Sequence, residues 1–168
     1  MLERLAALDV GGVRWARSLP HPPPVQRALV GLSRATDHSD AWLAAGLVGA
    51  VLDRRHRGSW FDAASRIALV ELSSQAIKRA LPRDRPRLER LPPLAPTPSP
   101  MSFPSSHTAA SVAALCAFDG LLPRPLLRVL ALLTAFSRLY LGVHFPSDVV
   151  AGACLGRFIG GGRGPGRS

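Results

Sequence analysis

Ser137-Arg138-Leu139-Tyr140-Leu141-Gly142-Val143-His144-Phe145-Pro146-Ser147-Asp148 sets an arginine, a histidine and a carboxylate at fixed offsets in one short stretch. Proline suits the first turn of a helix, where its missing N–H costs nothing. The spacing predicts a helix starting near Pro146, with His144 just outside it and Asp148 in its first turn. From there a carboxylate can accept a hydrogen bond from one imidazole nitrogen, fix the tautomer and leave the other nitrogen free to attack. Arg138 closes the preceding apolar run and offers a planar fork of donors to an anion. Taken alone, a solvated turn with one incidental histidine is the simpler reading. Two other stretches change it.

The first is Lys78-Arg79-Ala80-Leu81-Pro82-Arg83-Asp84-Arg85-Pro86, at the end of a predicted helix over 61–81 that Pro82 stops. On that helix Asp62 and Arg66 are spaced to pair, and Glu71, Gln75 and Lys78 form a polar stripe at i, i+4, i+7. The stripe reads either as a solvated face or as an inward face leading to a site. The second stretch is Phe103-Pro104-Ser105-Ser106-His107, which runs directly into the apolar segment 108–122. A serine-rich helix start presents free backbone N–H groups, a ready anion site. Between the two, residues 91–100 hold five prolines and no charge, and read as an extended loop.

The remaining segments follow the same logic. Residues 1–19 read as an amphipathic helix with Leu5, Leu8, Gly12, Trp15 and Leu19 on one stripe, stopped by His21-Pro-Pro-Pro24. It could lie in a membrane interface or pack as an ordinary surface helix. The turn Asp37-His38-Ser39-Asp40, with Ser39 or Asp40 as N-cap, leads into an apolar segment over 41–52 that Arg54, Arg55 and Arg57 close and Gly58 breaks. Helices are predicted over 126–143 and 147–159. The domain layout is thus an N-terminal amphipathic segment (1–40), a helical bundle (41–159) and a flexible Gly/Arg tail (160–168).

At 168 residues the chain makes one all-α domain with a real core. It carries 21 Lys+Arg against 11 Asp+Glu, a net +10, yet Lys78 is the only lysine. With abundant Ala, Gly and Pro, that skew reflects a GC-rich genome, so the basic balance says little about partners. Cys116 and Cys154 are isolated in apolar runs and read as buried small hydrophobes. No uncharged apolar run reaches about 18 residues, so hydropathy alone leaves a soluble bundle and a compact membrane enzyme both open.

Together the three stretches supply three cations, two histidines, one carboxylate and a serine-rich helix start. Fixed cations and amides suit the equatorial oxygens of a phosphoryl group in its transition state. Two histidines suit a split role of nucleophile and acid. No carboxylate cluster stands ready for Mg²⁺.

The chain resembles the type 2 phosphatidic acid phosphatases, the lipid phosphate phosphatase superfamily, whose fold also serves vanadium haloperoxidases. The family motifs are K-x6-R-P, P-S-G-H and S-R-x5-H-x3-D. Here they read Lys78-x6-Arg85-Pro86, Pro104-Ser105-Ser106-His107 and Ser137-Arg138-x5-His144-x3-Asp148, ten of eleven positions in order. The resemblance covers roughly 60–158. It implies a membrane-embedded bundle of five to six helices, and metal-independent, cofactor-free hydrolysis of a lipid phosphate. The terminal phosphate of a polyprenyl phosphate, a diphosphate or a phospholipid phosphate would pass through a phosphohistidine. His144 would be nucleophile, Asp148 its orienter and His107 the general acid. Lys78, Arg85, Arg138, Ser105 and Ser106 would hold the phosphate. Ser106 stands where the family has glycine, which is tolerated if the local φ is negative. The short, arginine-rich chain is similar to small actinobacterial members acting in polyprenyl-phosphate sugar metabolism. The alternatives are a haloperoxidase on the same fold or a non-catalytic basic module for anionic lipid or nucleic acid; no nucleic-acid partner is expected.

If 41–52, 61–81, 107–122, 126–143 and 147–159 each cross a membrane, all three motifs fall on one face. Arg54, Arg55, Arg57, Arg124, Arg128, Arg163 and Arg167 then fall on the other. The positive-inside rule makes that second face cytoplasmic, which places the site outward on a multi-pass cell-membrane protein.

Overall fold

The smallest side chains in the chain build its central helix. The computed structural model describes residues 2–35, 39–97 and 99–162, and among them seven α-helices and no extended strand, only isolated bridges. They are α1 Leu2–Ser18, α2 Pro23–Ala35, α3 Asp40–Leu52, α4 Arg57–Ala80, α5 Ser106–Ala117, α6 Arg124–Tyr140 and α7 Pro146–Gly160. In α5 the buried residues are Thr108, Ala109, Ala110, Ser111, Ala113 and Ala114. Their short side chains let α4, α6 and α7 all close on it. The approach of α7 is closest: a Cβ on Gly152, Gly156 or Gly160 would fall within 2.6 Å of the backbone of Ser105, Ala109 or Ala113. Side chains on that stripe would push α7, and its N-terminal end, away from the bundle.

At the other end of the core Phe118 is fully buried between Trp60 and Trp42, with ring centroids 5.5 and 6.4 Å away. The Trp60 indole donates to Asp53 at 3.2 Å, so its polar end is satisfied at the edge of the core. A second cluster, Leu29, Ala95, Tyr140, Leu141 and Val143, ties α2 and the 91–100 loop to the end of α6.

The all-α bundle is as the sequence implied, and the α7 start at Pro146, the stop before Pro82 and the Asp62–Arg66 pair (2.8 Å) fall where they were read. Four details differ. Pro23–Ala35 is itself a helix: α1 ends at Ser18, ahead of His21-Pro-Pro-Pro24 as read, and Pro23 and Pro24 then occupy the first turn of α2. Gly58 does not break the chain; it lies in the first turn of α4, where few helical hydrogen bonds are at stake. Ser39 precedes α3 in a left-handed conformation and its hydroxyl caps nothing, donating instead to Glu71 at 2.9 Å. Cys154 is exposed rather than buried, since α7 turns its glycine stripe inward, and Cys116 is half-buried. His38 and most of the 160–168 tail lie outside the described residues. Among the described residues no helix is long and apolar enough to cross a membrane.

Candidate active site

Chain direction alternates through the bundle, so the C-terminal ends of α4 and α6 meet the N-terminal ends of α5 and α7 at one pole. All three motif stretches lie at those ends. There a cavity of about 200 Å³ is lined by Lys78, Arg85, Ser106, His107, Arg138 and His144, with Glu71 and Gln75 of the polar stripe beside them.

Each cation is held in place by hydrogen bonds to neighbouring groups. Lys78 Nζ, 4% exposed, donates to Pro104 O at 2.6 Å. Arg138, 2% exposed, donates to Ser33 Oγ at 2.9 Å and to Ser137 Oγ at 2.8 Å. Arg85 donates to Ser99 O at 2.7 Å and Val143 O at 2.8 Å, and its Nη1 stands 3.2 Å from His144 Nε2. These contacts fix the three side chains with their donors around the cavity, where an anion could accept from them.

The Arg85 contact fixes the state of His144. Guanidinium can only donate, so Nε2 is the acceptor and the ring proton sits on Nδ1, facing Asp148. Burial pushes His144 far below its ordinary value, to about 3; Asp148 pulls the other way, and the charges of Arg85 and Lys78 push it further down. The ring is therefore neutral at working pH, with a lone pair on Nε2. Asp148 Oδ2 lies 3.5 Å from Nδ1, near the neutral ring but without a formed hydrogen bond. His107 Nε2 donates to Ser33 O at 3.2 Å across the cavity.

Asp148 is itself held by a network that the sequence did not reveal. Its Oδ2 accepts the Phe145 N–H at 2.9 Å, closing the first turn of α7, and its Oδ1 accepts Arg83 Nη1 at 2.8 Å. Arg83 reaches on to Asp9 of α1 at 2.7 Å and lies over the Phe145 ring, 4.2 Å from its centroid. Asp9 in turn accepts the Ser147 N–H at 2.9 Å and its hydroxyl at 2.6 Å. Burial would raise the Asp9 carboxyl, but the Ser147 and Arg83 hydrogen bonds outweigh it and hold the group below the usual carboxylate range. Arg83 stands in the first motif stretch, two residues before Arg85. Asp9 carried no signal beyond being an acid off the apolar stripe of α1.

The structure thus brings together Lys78, Arg85, Arg138, His107, His144 and Ser106 around one cavity, with Asp148 behind His144. Ser105 sits elsewhere: it is fully buried, its N–H donates to Asp148 O at 3.0 Å, and its hydroxyl pairs with Thr108 at 3.1 Å. Ser106 opens α5 and is absent from the positive-φ residues, so the serine fits where the motif has glycine. Its buried hydroxyl has no partner among the described residues. Among those residues no three His, Cys, Asp or Glu side chains converge on a point where a metal ion could sit.

The sequence profile of the PAP2 superfamily matches residues 59–162. A decaprenylphosphoryl-5-phosphoribose phosphatase of Mycobacterium tuberculosis is 37% identical over 130 residues, spanning 77% of this chain and 73% of that protein. Two solved structures share the fold. One is Aquifex aeolicus LpxE, with TM-score 0.75 and 24% identity over 91% of this chain and 92% of its own. The other is a transmembrane PAP2 type phosphatidylglycerolphosphate phosphatase from Bacillus subtilis, with TM-score 0.77 and 23% identity over 93% and 82%.

Proposed function

The chain belongs to the PAP2 superfamily, and from that premise we propose that it hydrolyses the terminal phosphate of a lipid phosphate without a metal ion. The observation that carries the reading is the cavity itself. Three cations, a serine hydroxyl without a partner among the described residues and two histidines line one volume. His144 Nε2 attacks phosphorus while Lys78, Arg85, Arg138 and Ser106 take the equatorial oxygens. Arg85 shifts its donor from Nε2 to the phosphate as the lone pair is used. The charge that develops on the imidazole is met by Asp148 through Nδ1–H, and the 3.5 Å gap closes as the ring becomes cationic. His107 protonates the departing alkoxide, then takes a proton from the water that attacks the phosphohistidine. Ser105 holds the α5 start to α7 rather than touching substrate.

For substrate, the likeness to the mycobacterial phosphatase favours a polyprenyl-linked sugar phosphate. A membrane setting is part of the proposal. Leu47, Val51, Leu72, Leu132, Val150 and Phe158 project exposed apolar side chains from α3, α4, α6 and α7. Facing acyl chains, they explain a belt that water would not favour. With the site at one pole and Arg124, Arg128 and Arg157 lining a second cavity away from it, the positive-inside rule turns the site outward.

Phosphate release from a polyprenyl phosphate in excess EDTA, blocked by vanadate, is the expected result. Turnover that requires added Mg²⁺ contradicts the mechanism.

A further inference from the structure

The face of α4 that ends at Lys78 carries two more cavity groups, Glu71 and Gln75. The helical rise sets Gln75 about 4.5 Å and Glu71 about 10.5 Å along the axis from Lys78. A carboxylate is costly there, since the cavity must hold an anionic phosphate and like charges repel. Phosphoryl transfer as derived above gives it no task. Nor is Glu71 consumed by a cation: its Oε2 accepts from Ser39 Oγ at 2.9 Å and its Oε1 from Gln75 Nε2 at 2.8 Å. Those two neutral donors fix its orientation and leave lone pairs on both oxygens. Gln75, in giving its amide N–H to Glu71, keeps its own carbonyl oxygen without a partner among the described residues. The result is a fixed array of acceptors next to a cage of cations.

We infer that Glu71 and Gln75 form a hydroxyl-binding subsite that reads a polyhydroxylated, sugar-like carrier of the scissile phosphate. The inference rests on the phosphatase reading and deepens it. A sugar phosphorylated on its primary hydroxyl presents ring hydroxyls one pentose ring from phosphorus, which matches the interval from Lys78 to Gln75, and the Glu71 carboxylate is held against the Gln75 amide at 2.8 Å. A plain isoprenoid phosphate has only hydrocarbon at that distance and leaves the acceptors without donors. A site built to bind hydroxyls discriminates strongly against an analogue that lacks them.

The test compares two probes on the full chain in detergent: a polyprenyl-phosphoryl ribose bearing a 5-phosphate, and a polyprenyl monophosphate of the same chain length. The readout is the ratio of their kcat/KM values, which is independent of the fraction of enzyme that is folded. Wild type should favour the sugar phosphate at least tenfold. Glu71→Gln, which preserves shape, and Gln75→Leu should each lower that ratio tenfold or more. A ratio that moves less than threefold in both variants overturns the subsite while leaving the phosphatase reading intact. Hydrolysis of neither probe by wild type overturns the phosphatase reading and the subsite with it.

Discussion

Replacing Arg83 by methionine removes a side chain that bridges Asp148 to Asp9. The two carboxylates are 0% and 7% exposed, and the guanidinium is a third exposed. Breaking a buried ion pair by deleting one partner costs about 3–5 kcal/mol, because the other charge stays behind unpaired. Here each carboxylate keeps other donors, the Phe145 N–H for Asp148 and Ser147 for Asp9, and water reaches the arginine. The expected loss is therefore about 3 kcal/mol, a fall in Tm of roughly 6–12 °C for a chain of this length. Activity should fall as well, since Asp148 loses the donor that holds its Oδ1 and with it the aim of Oδ2 at His144. Thermal unfolding and kcat should be measured together for Arg83→Met, Asp9→Asn and the double variant. The two residues share a hydrogen bond, so the double variant should cost less than the sum by about 1 kcal/mol or more. Strict additivity, or an Arg83→Met enzyme with wild-type Tm and kcat, would refute the network.

Arg138→Ala removes a buried cation from the proposed phosphate-binding cavity and should lower kcat/KM about a hundredfold, near 3 kcal/mol of transition-state stabilisation; a loss under fivefold on a folded variant contradicts its place there. Ser106→Ala should cost about tenfold in kcat/KM with no loss of Tm, because its unpartnered hydroxyl serves substrate rather than the fold. Unchanged activity removes it from the site. Fold stability should fall as pH drops from about 6.5 toward 3. In that window the unfolded chain protonates the His144 imidazole and the folded chain does not, so the unfolded state binds more protons. Asp9, held below its usual value, adds a loss in the same direction at still lower pH. Unfolding at pH 7.5 and 5 should show the drop, and His144→Gln should flatten it; equal slopes in both proteins contradict the burial of a neutral ring.

What could be read from the sequence was local. Pro146 sets the start of α7, and from it the places of His144 and Asp148 follow by helix geometry alone. Pro82 likewise ends α4 just past Lys78. The gathering of these cations and histidines around one cavity was legible because each motif carries its own offset, and the alternation of helices brings the offsets to one pole. What escaped depends on contacts between distant segments. Asp9 meets Ser147 and Arg83 only because α1 docks beside the α7 start. Ser105 reads as a phosphate ligand until its N–H is seen to be spent on Asp148 O and its hydroxyl on Thr108. The stripe of Glu71 and Gln75 was ambiguous, since helical spacing gives a common face but not which way that face turns. Cys154 went the same way: an apolar run does not say which of its residues the glycines will turn outward.

The central claim is a covalent phosphoryl group on His144, formed without metal. Rapid quenching into alkaline detergent after mixing with ³²P-labelled lipid phosphate in EDTA tests it, because phosphohistidine survives base and is lost in acid. Wild type should carry base-stable, acid-labile label on the peptide containing His144, and His144→Ala should carry none. Label on the His144→Ala chain equal to wild type, or turnover by wild type that never labels the protein, would contradict the account.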